Sequence, residues 1–494
     1  MDVKDPYHIE YGAVMKTAFL YLGFLSATIL SADSIPPDTT GMGTLTSVEL
    51  TQKMMPGWNL GNTLEALPNE TSWGNPLTTQ DLMDAVCDAG FKSVRIPVAW
   101  SKFRGDPSAY TIDPEWLYRV EEVVEYALNN DMYVIINEHW DNGWQIPTVE
   151  DSAAVNRRLA AMWTQIAVHF RDYDHHLLFA GTNEIMVPDN WGSPSRENVA
   201  VQNGFNQLFV DAVRSTGGCN TYRYLVVQGY RTDINLTVQY FEAPADSTID
   251  RLLVEVHYYD PYNFTLNSDD RITQWGKYAT NPSKTETWAN ESWADNQFNK
   301  MKTNFVDKGY GVVLGEYCAT NRTNLGSLEL NEEFAEYRYY YTQYVTRSME
   351  RHGLVPYYWD AGYCGNHGSG IFDRRTGDVL DPDILEAIVD TNAADPFTGI
   401  AESTSGPARF ILEQNYPNPF NPSTRIDYHL PVSAFVTLKV FDVLGNEIAT
   451  LVHGRQNSGR HSVLFNAAHL PDGEYFYRIE AGMVHDCRKL LLLK

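Results

Sequence analysis

The chain has 494 residues, of which 43% are hydrophobic, and it carries a formal net charge of −26. A chain of this length can form two or three domains with a large core. Its negative charge argues against nucleic acid or an anionic membrane as the partner, because both require a basic surface. A neutral or cationic substrate is compatible with it.

The acidic and aromatic residues are concentrated before residue 401. Over residues 401–494, nine Lys and Arg residues balance nine Asp and Glu residues, and all twelve tryptophans lie between Trp58 and Trp359. This asymmetry predicts an acidic, aromatic-rich main domain followed by a small neutral one. The five cysteines have no CxxC or paired short spacing, so neither a zinc knuckle nor a disulfide framework is indicated.

The N-terminal region contains an apolar stretch, residues 17–30, between Lys16 and the small residues Ser31 and Ala32. The stretch is too short for a typical transmembrane helix, so it predicts a secretory signal and no stable membrane insertion. The predicted divisions are a leader over 1–32, the main domain over 33–398, a polar linker over 399–408 and a C-terminal domain over 409–494.

Apolar runs alternate with amphipathic stretches such as 114–129, 154–170, 198–214 and 332–351. This alternation is typical of parallel strands joined by helices, and eight strands favour an α/β fold of the (β/α)8 TIM-barrel type. A doubly wound sheet is the alternative, but no Gly-rich phosphate-binding loop follows any predicted strand. The predicted strands are Met55–Asn59, Ser93–Val98, Met132–His139, Leu177–Thr182, Leu225–Tyr230, Leu252–Tyr259, Val312–Tyr317 and Val355–Trp359.

The C-terminal domain has a different sequence pattern. Three prolines within residues 414–422 prevent a regular ladder, and short alternating runs separated by turn signals follow them. This pattern predicts a small β-sandwich. The alternating runs are 424–430, 434–442, 461–466 and 474–480.

Two glutamates lie at the ends of predicted strands: Glu184 after the fourth and Glu316 near the end of the seventh. These two strand tips face each other across the mouth of a barrel, so the carboxylates can approach to about 5 Å, the separation of a retaining glycosidase. The sequence therefore predicts Glu184 as acid/base and Glu316 as nucleophile. These roles require unequal environments, because one carboxyl group needs a raised pKa and the other a lowered one.

Other polar side chains fall at neighbouring strand tips. Arg95 and Tyr259 are expected to donate hydrogen bonds to Glu316 and keep it ionised. Asn183 is expected to bind the sugar hydroxyl beside the reacting carbon. Period-two alternation places His257 on the same strand face as Tyr259.

His139 ends the third predicted strand, and together with His257 and a carboxylate it would form an alternative metal site. No HxH or HExxH spacing supports that alternative, and no cofactor is expected. Tryptophans in predicted loops suit the apolar faces of sugar rings, although about half of them are expected to serve packing alone. These tryptophans are Trp73, Trp140, Trp144, Trp191, Trp275 and Trp359.

Five motifs together resemble glycoside hydrolase family 5, the β-1,4-glucanase and mannanase group, over about residues 45–395. The resemblance implies a TIM barrel, net retention, Glu184 as acid/base and Glu316 as nucleophile. It implies a supporting role for Arg95, His139, Asn183, His257, Tyr259 and Trp359, whereas Trp140 is expected to bind substrate from its loop position alone. The motifs are Gly57-Trp58-Asn59-Leu60-Gly61-Asn62-Thr63, Val94-Arg95-Ile96-Pro97-Val98, Asn183-Glu184, His257-Tyr258-Tyr259 and Gly315-Glu316-Tyr317.

The chain departs from the family pattern at two places. Ile185-Met186 follows the acid/base where many members have proline, and His139-Trp140 stands where endoglucanases often have two adjacent histidines. Neither change touches the catalytic pair. We expect a secreted retaining endo-β-1,4-glucanase acting on a β-glucan polysaccharide. A xyloglucanase or β-mannanase is the alternative with the same site, and a non-catalytic carbohydrate-binding barrel is the alternative from another class.

The C-terminal domain resembles the sorting domain of the type IX secretion system. The resemblance lies in the run 415–422, the turn Phe441-Asp442-Val443-Leu444-Gly445 and the segment Gly473-Glu474-Tyr475-Phe476-Tyr477. It implies that the type IX machinery is a partner and that the protein is secreted or attached to the cell surface.

Overall fold

The computed structural model of the protein describes residues 35–390, 410–430, 434–457, 459–481 and 484–494. Eight parallel strands, β1 to β8, hydrogen-bond in chain order and close into a barrel. The predicted TIM barrel is therefore confirmed, whereas the predicted leader and linker lie outside the described residues. The strands are β1 Gly57–Leu60, β2 Ser93–Ile96, β3 Tyr133–Asn137, β4 Leu177–Ala180, β5 Leu225–Gln228, β6 Leu252–His257, β7 Gly311–Tyr317 and β8 Leu354–Asp360.

Helices cover the outside of the barrel and pack on its apolar residues. The prediction placed the start of α4 at residue 154, but the helix begins at Val149, because the Thr148 side chain accepts a hydrogen bond from the Asp151 backbone and caps the first turn. Ser327 caps α9 in the same way. The helices are α1 Ser47–Met54, α2 Gln80–Asp88, α3 Pro114–Leu128, α4 Val149–His169, α5 Arg196–Ser215, α6 Ile234–Tyr240, α7 Tyr262–Thr265, α8 Glu291–Asn304, α9 Leu328–Arg351 and α10 Pro382–Val389.

Several strands end earlier than predicted. The strands β3, β4 and β6 stop at Asn137, Ala180 and His257, so the polar residues that follow them belong to loops at the carboxyl end of the barrel. The ladder between β6 and β7 also shifts register: Val256 pairs with Leu314, and His257 pairs with Glu316. Such an irregularity changes the direction of the side chains beside it.

The C-terminal domain is formed by two antiparallel sheets, which confirms the predicted β-sandwich. A three-stranded sheet has the order β13-β10-β9, and a four-stranded sheet has the order β12-β11-β14-β15. The prediction lacked β9, β12 and β15, since their sequences do not alternate cleanly between apolar and polar residues. The strands are β9 Ile411–Leu412, β10 Ser423–Leu430, β11 Ala434–Phe441, β12 Glu447–Gln456, β13 Gly459–Asn466, β14 Gly473–Ala481 and β15 Val484–Leu492.

No helix within the described residues is both long enough and apolar enough to cross a membrane. All five cysteines lie in the described ranges as free thiols.

Candidate active site

Two carboxylates and an imidazole meet at the carboxyl end of the barrel. Glu184 lies in the loop after β4, His257 is the last residue of β6, and Glu316 is in β7. One carboxylate oxygen from each glutamate and one ring nitrogen of the histidine all lie within 4.8 Å of one another. The closed barrel therefore brings together two glutamates that are far apart in sequence.

Glu316 is 6% exposed and has a fixed donor at each oxygen. Arg95 Nη1 donates to its Oε1 at 3.0 Å, and the Tyr259 hydroxyl donates to its Oε2 at 3.0 Å. Burial raises the pKa of Glu316, while the charges of His257 and Arg95 and the Tyr259 hydrogen bond act against that shift. Arg95 and Tyr259 thus favour the ionised form at both oxygens, but burial prevails: the pKa of Glu316 lies above its ordinary value, whereas the nucleophile was expected to have the lowered one.

Glu184 has a different environment, since 46% of its side chain is exposed to the cleft. Its Oε1 lies 2.7 Å from Nδ1 of His257. Desolvation raises the pKa of Glu184, but the hydrogen bond and the charge of His257 outweigh it, so this pKa lies below its ordinary value. Burial also disfavours the protonated form of His257, but the surrounding carboxylates outweigh it and raise its pKa to about 10. Glu316 contributes most among them. The imidazole is therefore a cation at neutral pH.

Arg95 is fully buried beneath the site and connects several strands. Its Nη1 also donates to the Asn59 side chain at 3.0 Å, and its Nη2 donates to Oδ1 of Asn183 at 2.7 Å. Asn59 in turn donates to the carbonyl of Gly315 at 2.8 Å. These contacts fix the guanidinium between the two sides of the barrel.

His139 and Trp359 form one wall beside this cluster. Their rings stack with centroids 5.8 Å apart and an interplanar angle of 9°. Asn137 donates to Nδ1 of His139 at 3.1 Å, and burial lowers the pKa of His139 well below its usual value, so its ring is neutral. Trp140, the next residue, is 54% exposed.

A groove of about 380 Å³ leads away from Glu184 and His257. Trp191, 74% exposed, and Tyr262 provide aromatic surface along it. Trp275 is buried instead, and its indole donates to the carbonyl of Ala289 at 2.7 Å, so it serves packing.

Sequence reasoning missed several residues of this site. Asn59 binds Arg95 and the carbonyl of Gly315, and Asn137 binds His139. Glu255 lies under Arg95 and His257. The available signal for Glu255 was period-two alternation, which places it on the same face of β6 as His257. Asn59 lies within the quoted Gly57–Thr63 motif, but the sequence does not show that its side chain reaches β7.

The residues that converge at the barrel mouth are not the set that the sequence suggested for an alternative metal site. The three groups whose ligand atoms converge are Glu184, His257 and Glu316, and His139 is not among them. Both ring nitrogens of His257 face carboxylates, at 2.7 Å to Glu184 and 3.3 Å to Glu255. Ion pairing accounts for this arrangement of charges.

A buried carboxylate held by arginine, facing a second carboxylate across the mouth of a (β/α)8 barrel, defines a glycoside hydrolase. Residues 59–365 match the family model described as cellulase, glycosyl hydrolase family 5. The chain belongs to this family and is an endoglucanase-type hydrolase.

Relatives and solved structures agree with this membership. Endoglucanase A of Paenibacillus barcinonensis is 38% identical over 392 residues, which are 75% of this chain and 96% of the relative. A Bacteroides ovatus GH5 xyloglucanase in complex with a XXXG heptasaccharide superimposes with a TM-score of 0.69 at 42% identity, covering 72% of this chain and 78% of the other. A GH5-4 broad specificity endoglucanase from Bacteroides salanitronis gives a TM-score of 0.66 at 39% identity, with coverage of 71% and 97%.

Residues 414–492 match the secretion system C-terminal sorting domain. The protein is therefore directed by type IX secretion to the cell surface or the exterior.

Proposed function

We propose that the protein is a retaining endo-β-1,4-glucanase in which Glu316 is the nucleophile and Glu184 is the acid/base. The observation that carries this proposal is the approach of the two carboxylates, which have atoms within 4.8 Å of each other. Retaining glycosidases place their carboxyl groups roughly 5–5.5 Å apart, whereas inverting enzymes need roughly 6.5–9.5 Å to admit a water.

The contacts of each glutamate support this division of roles. Glu316 accepts hydrogen bonds from Arg95 and Tyr259 at its two oxygens, which favours its ionised form and fixes its direction. Glu184 is open to the cleft on one side and pairs with His257 on the other. A sugar bound in the cleft covers the exposed face of Glu184 and raises its pKa by desolvation. Glu316 is already buried, so binding changes its environment less.

The reaction then proceeds in two displacements. The Glu316 carboxylate attacks the anomeric carbon while Glu184 transfers its proton to the glycosidic oxygen, so the bond breaks and the aglycone leaves as an alcohol. In the second step Glu184, now ionised, takes a proton from water. The resulting hydroxide oxygen bonds to the anomeric carbon and releases Glu316. Two inversions leave the product in its original β configuration.

Neighbouring residues position the sugar. Asn183 commits its carbonyl oxygen to Arg95, so its amide nitrogen is available to donate to the hydroxyl beside the reacting carbon. Trp359 and His139 form a flat wall, and the exposed Trp140 and Trp191 offer surfaces for further rings. An open groove lined by Glu184 and Trp191 suits an internal segment of a polysaccharide.

The catalytic assignment is tested with Glu316→Gln and Glu184→Gln, measured on barley β-glucan and on a 2,4-dinitrophenyl β-cellobioside. The Glu316 variant is expected to lose both activities by several orders of magnitude. The Glu184 variant is expected to lose polysaccharide hydrolysis but to cleave the activated aryl bond, because dinitrophenolate leaves without a proton. Near-normal hydrolysis of β-glucan by either variant would contradict the assignment.

Xyloglucan is the second candidate substrate, because a structural neighbour at 42% identity is a xyloglucanase. Initial rates on carboxymethylcellulose, lichenan, xyloglucan and glucomannan separate the candidates. Activity on xyloglucan alone would assign that specificity, and a clear preference for glucomannan would favour the mannanase alternative. A folded protein inactive on all four would favour a carbohydrate-binding barrel.

A further inference from the structure

A third carboxylate lies directly beneath the catalytic pair. Glu255 is in β6, two residues before His257, and it is fully buried. Its Oε1 lies 2.9 Å from Nε of Arg95 and 3.3 Å from Nε2 of His257. Its Oε2 accepts a hydrogen bond from the Gln228 side chain at 2.7 Å. A buried charge with this many partners is an organised feature of the core.

The backbone of β7 leaves space for this carboxylate. A Cβ at Gly315 would lie 2.0 Å from Oε1 of Glu255, a distance that atoms cannot adopt. Gly315 is also the residue skipped where the β6–β7 register shifts, immediately before Glu316. The irregularity in β7 therefore admits Glu255 and determines where the next side chain, Glu316, points.

Both cations that Glu255 contacts reach a catalytic glutamate with their other end. Arg95 contacts Glu255 through Nε and Glu316 through Nη1. His257 contacts Glu255 through Nε2 and Glu184 through Nδ1. Glu255 is thus linked to Glu316 through Arg95 and to Glu184 through His257.

We propose that Glu255 is a positioning residue that orients Arg95 and His257 and thereby holds both catalytic glutamates in their reacting geometry. The proposal rests on the proposed function and adds a residue that does not touch the substrate. Without Glu255, the guanidinium loses the carboxylate that lies 2.9 Å from its Nε and keeps Asn59, Asn183 and Glu316 as partners. The imidazole loses the acceptor that fixes its ring and favours its doubly protonated form.

The charges around His257 agree with this role. Glu184 faces its Nδ1, Glu255 faces its Nε2, and Glu316 lies 3.7 Å from Nδ1, while Arg95 is the neighbouring cation. Burial opposes ionisation of Glu255, but Arg95, His257 and Gln228 lower its pKa to about 2. Glu255 is therefore an anion throughout the working range, and its charge helps to keep His257 protonated.

The test uses Glu255→Gln, which removes the charge and keeps the size. We expect kcat on β-glucan to fall roughly 10- to 100-fold with little change in KM, the usual range for a residue that orients groups in contact with the reaction. The alkaline limb of the kcat/KM profile should move to lower pH, because the proton shared by His257 and Glu184 is held less tightly. Glu255→Asp keeps the charge, so its alkaline limb should stay near that of the unmodified enzyme.

Glu70→Gln is the matched control. Glu70 is another buried glutamate paired with an arginine, with an oxygen 2.8 Å from Nε of Arg119, and it lies outside the catalytic cluster. This control should lower the melting temperature and leave the pH profile unchanged. If Glu255→Gln is insoluble, Glu255→Asp is the second variant: it keeps the charge but withdraws the carboxylate from Arg95 and His257, so kcat should fall while the alkaline limb stays in place.

Two results would overturn the proposal. One is an unchanged alkaline limb in Glu255→Gln or, if that variant is insoluble, an unchanged kcat in Glu255→Asp. The other is an activity loss no larger than that of Glu70→Gln. Failure of the proposed function is a separate outcome, because it would appear as near-normal hydrolysis of β-glucan by Glu184→Gln or Glu316→Gln.

Discussion

Replacing Tyr259 by phenylalanine tests how Glu316 is kept ionised. The hydroxyl donates to Oε2 of Glu316 at 3.0 Å in a partly buried setting. A hydrogen bond to a charged group contributes about 1.5–3 kcal/mol. Its loss corresponds to a fall of roughly 10- to 150-fold in kcat/KM, since each factor of ten is about 1.4 kcal/mol. Arg95 still holds Oε1, so the variant should fold and retain measurable activity.

The pH profile gives the sharper readout. The Tyr259 hydrogen bond lowers the pKa of Glu316, so removing it should raise that pKa. The acid limb of kcat/KM reports the ionisation of the nucleophile in the free enzyme, and it should move to higher pH by about one unit or more. The variant is therefore most impaired in acid, where Glu316 has gained its proton.

The assay is kcat/KM on an aryl β-cellobioside across the acidic and neutral range. Tyr317→Phe is the control, because its buried hydroxyl contacts Thr346 at 2.7 Å on the outer side of β7, away from Glu316. The control should lose stability and keep its acid limb. An acid limb that is unmoved in Tyr259→Phe, or moved equally in both variants, would refute the reasoning.

Three further expectations concern stereochemistry, binding and stability. Proton NMR of the earliest product should show the β-anomer, and an initial α-anomer would exclude double displacement. Trp191→Ala should raise KM for cellohexaose by about 2- to 10-fold without affecting an aryl cellobioside, because one stacking surface is lost; an equal effect on both substrates would contradict that placement. Asp360→Asn should lower the free energy of unfolding by about 3–5 kcal/mol, because Arg374, which Asp360 contacts at 3.0 Å, is left buried without its anion. Denaturant melts should show a much smaller effect for the exposed Asp307→Asn.

The barrel was predictable because each strand is a short apolar run, buried on both faces, between amphipathic stretches. Strand ends were less predictable, since apolar residues continue past the last residue of a strand, as Pro97 and Val98 do beyond Ile96. Helix starts depended on side-chain caps such as Thr148, which periodicity does not report. In the C-terminal domain β12 lacks clean alternation, so its pairing with β11 became clear only from the structure.

The two glutamates were recognisable because each follows an apolar run at a position where barrels place polar side chains. Glu255 was harder to find, because a lone carboxylate inside a strand has no meaning until its partners are known. Those partners come from three other strands: Arg95 from β2, Gln228 from β5 and the space at Gly315 from β7. Only the closed barrel shows that they meet at one point.

The charge of this buried cluster explains how one glutamate can be an acid while the other is an anion. Two cations, Arg95 and His257, face three carboxylates, so a single added proton makes the group neutral, and burial favours the neutral state. A proton on Glu316 would have to displace one of its two fixed donors, Arg95 or Tyr259, although burial raises the pKa of this carboxyl group. Glu184 has an oxygen directed to the cleft, where bound sugar replaces water and raises its affinity for the proton. Substrate binding itself would therefore place the proton on the carboxyl group that must donate it.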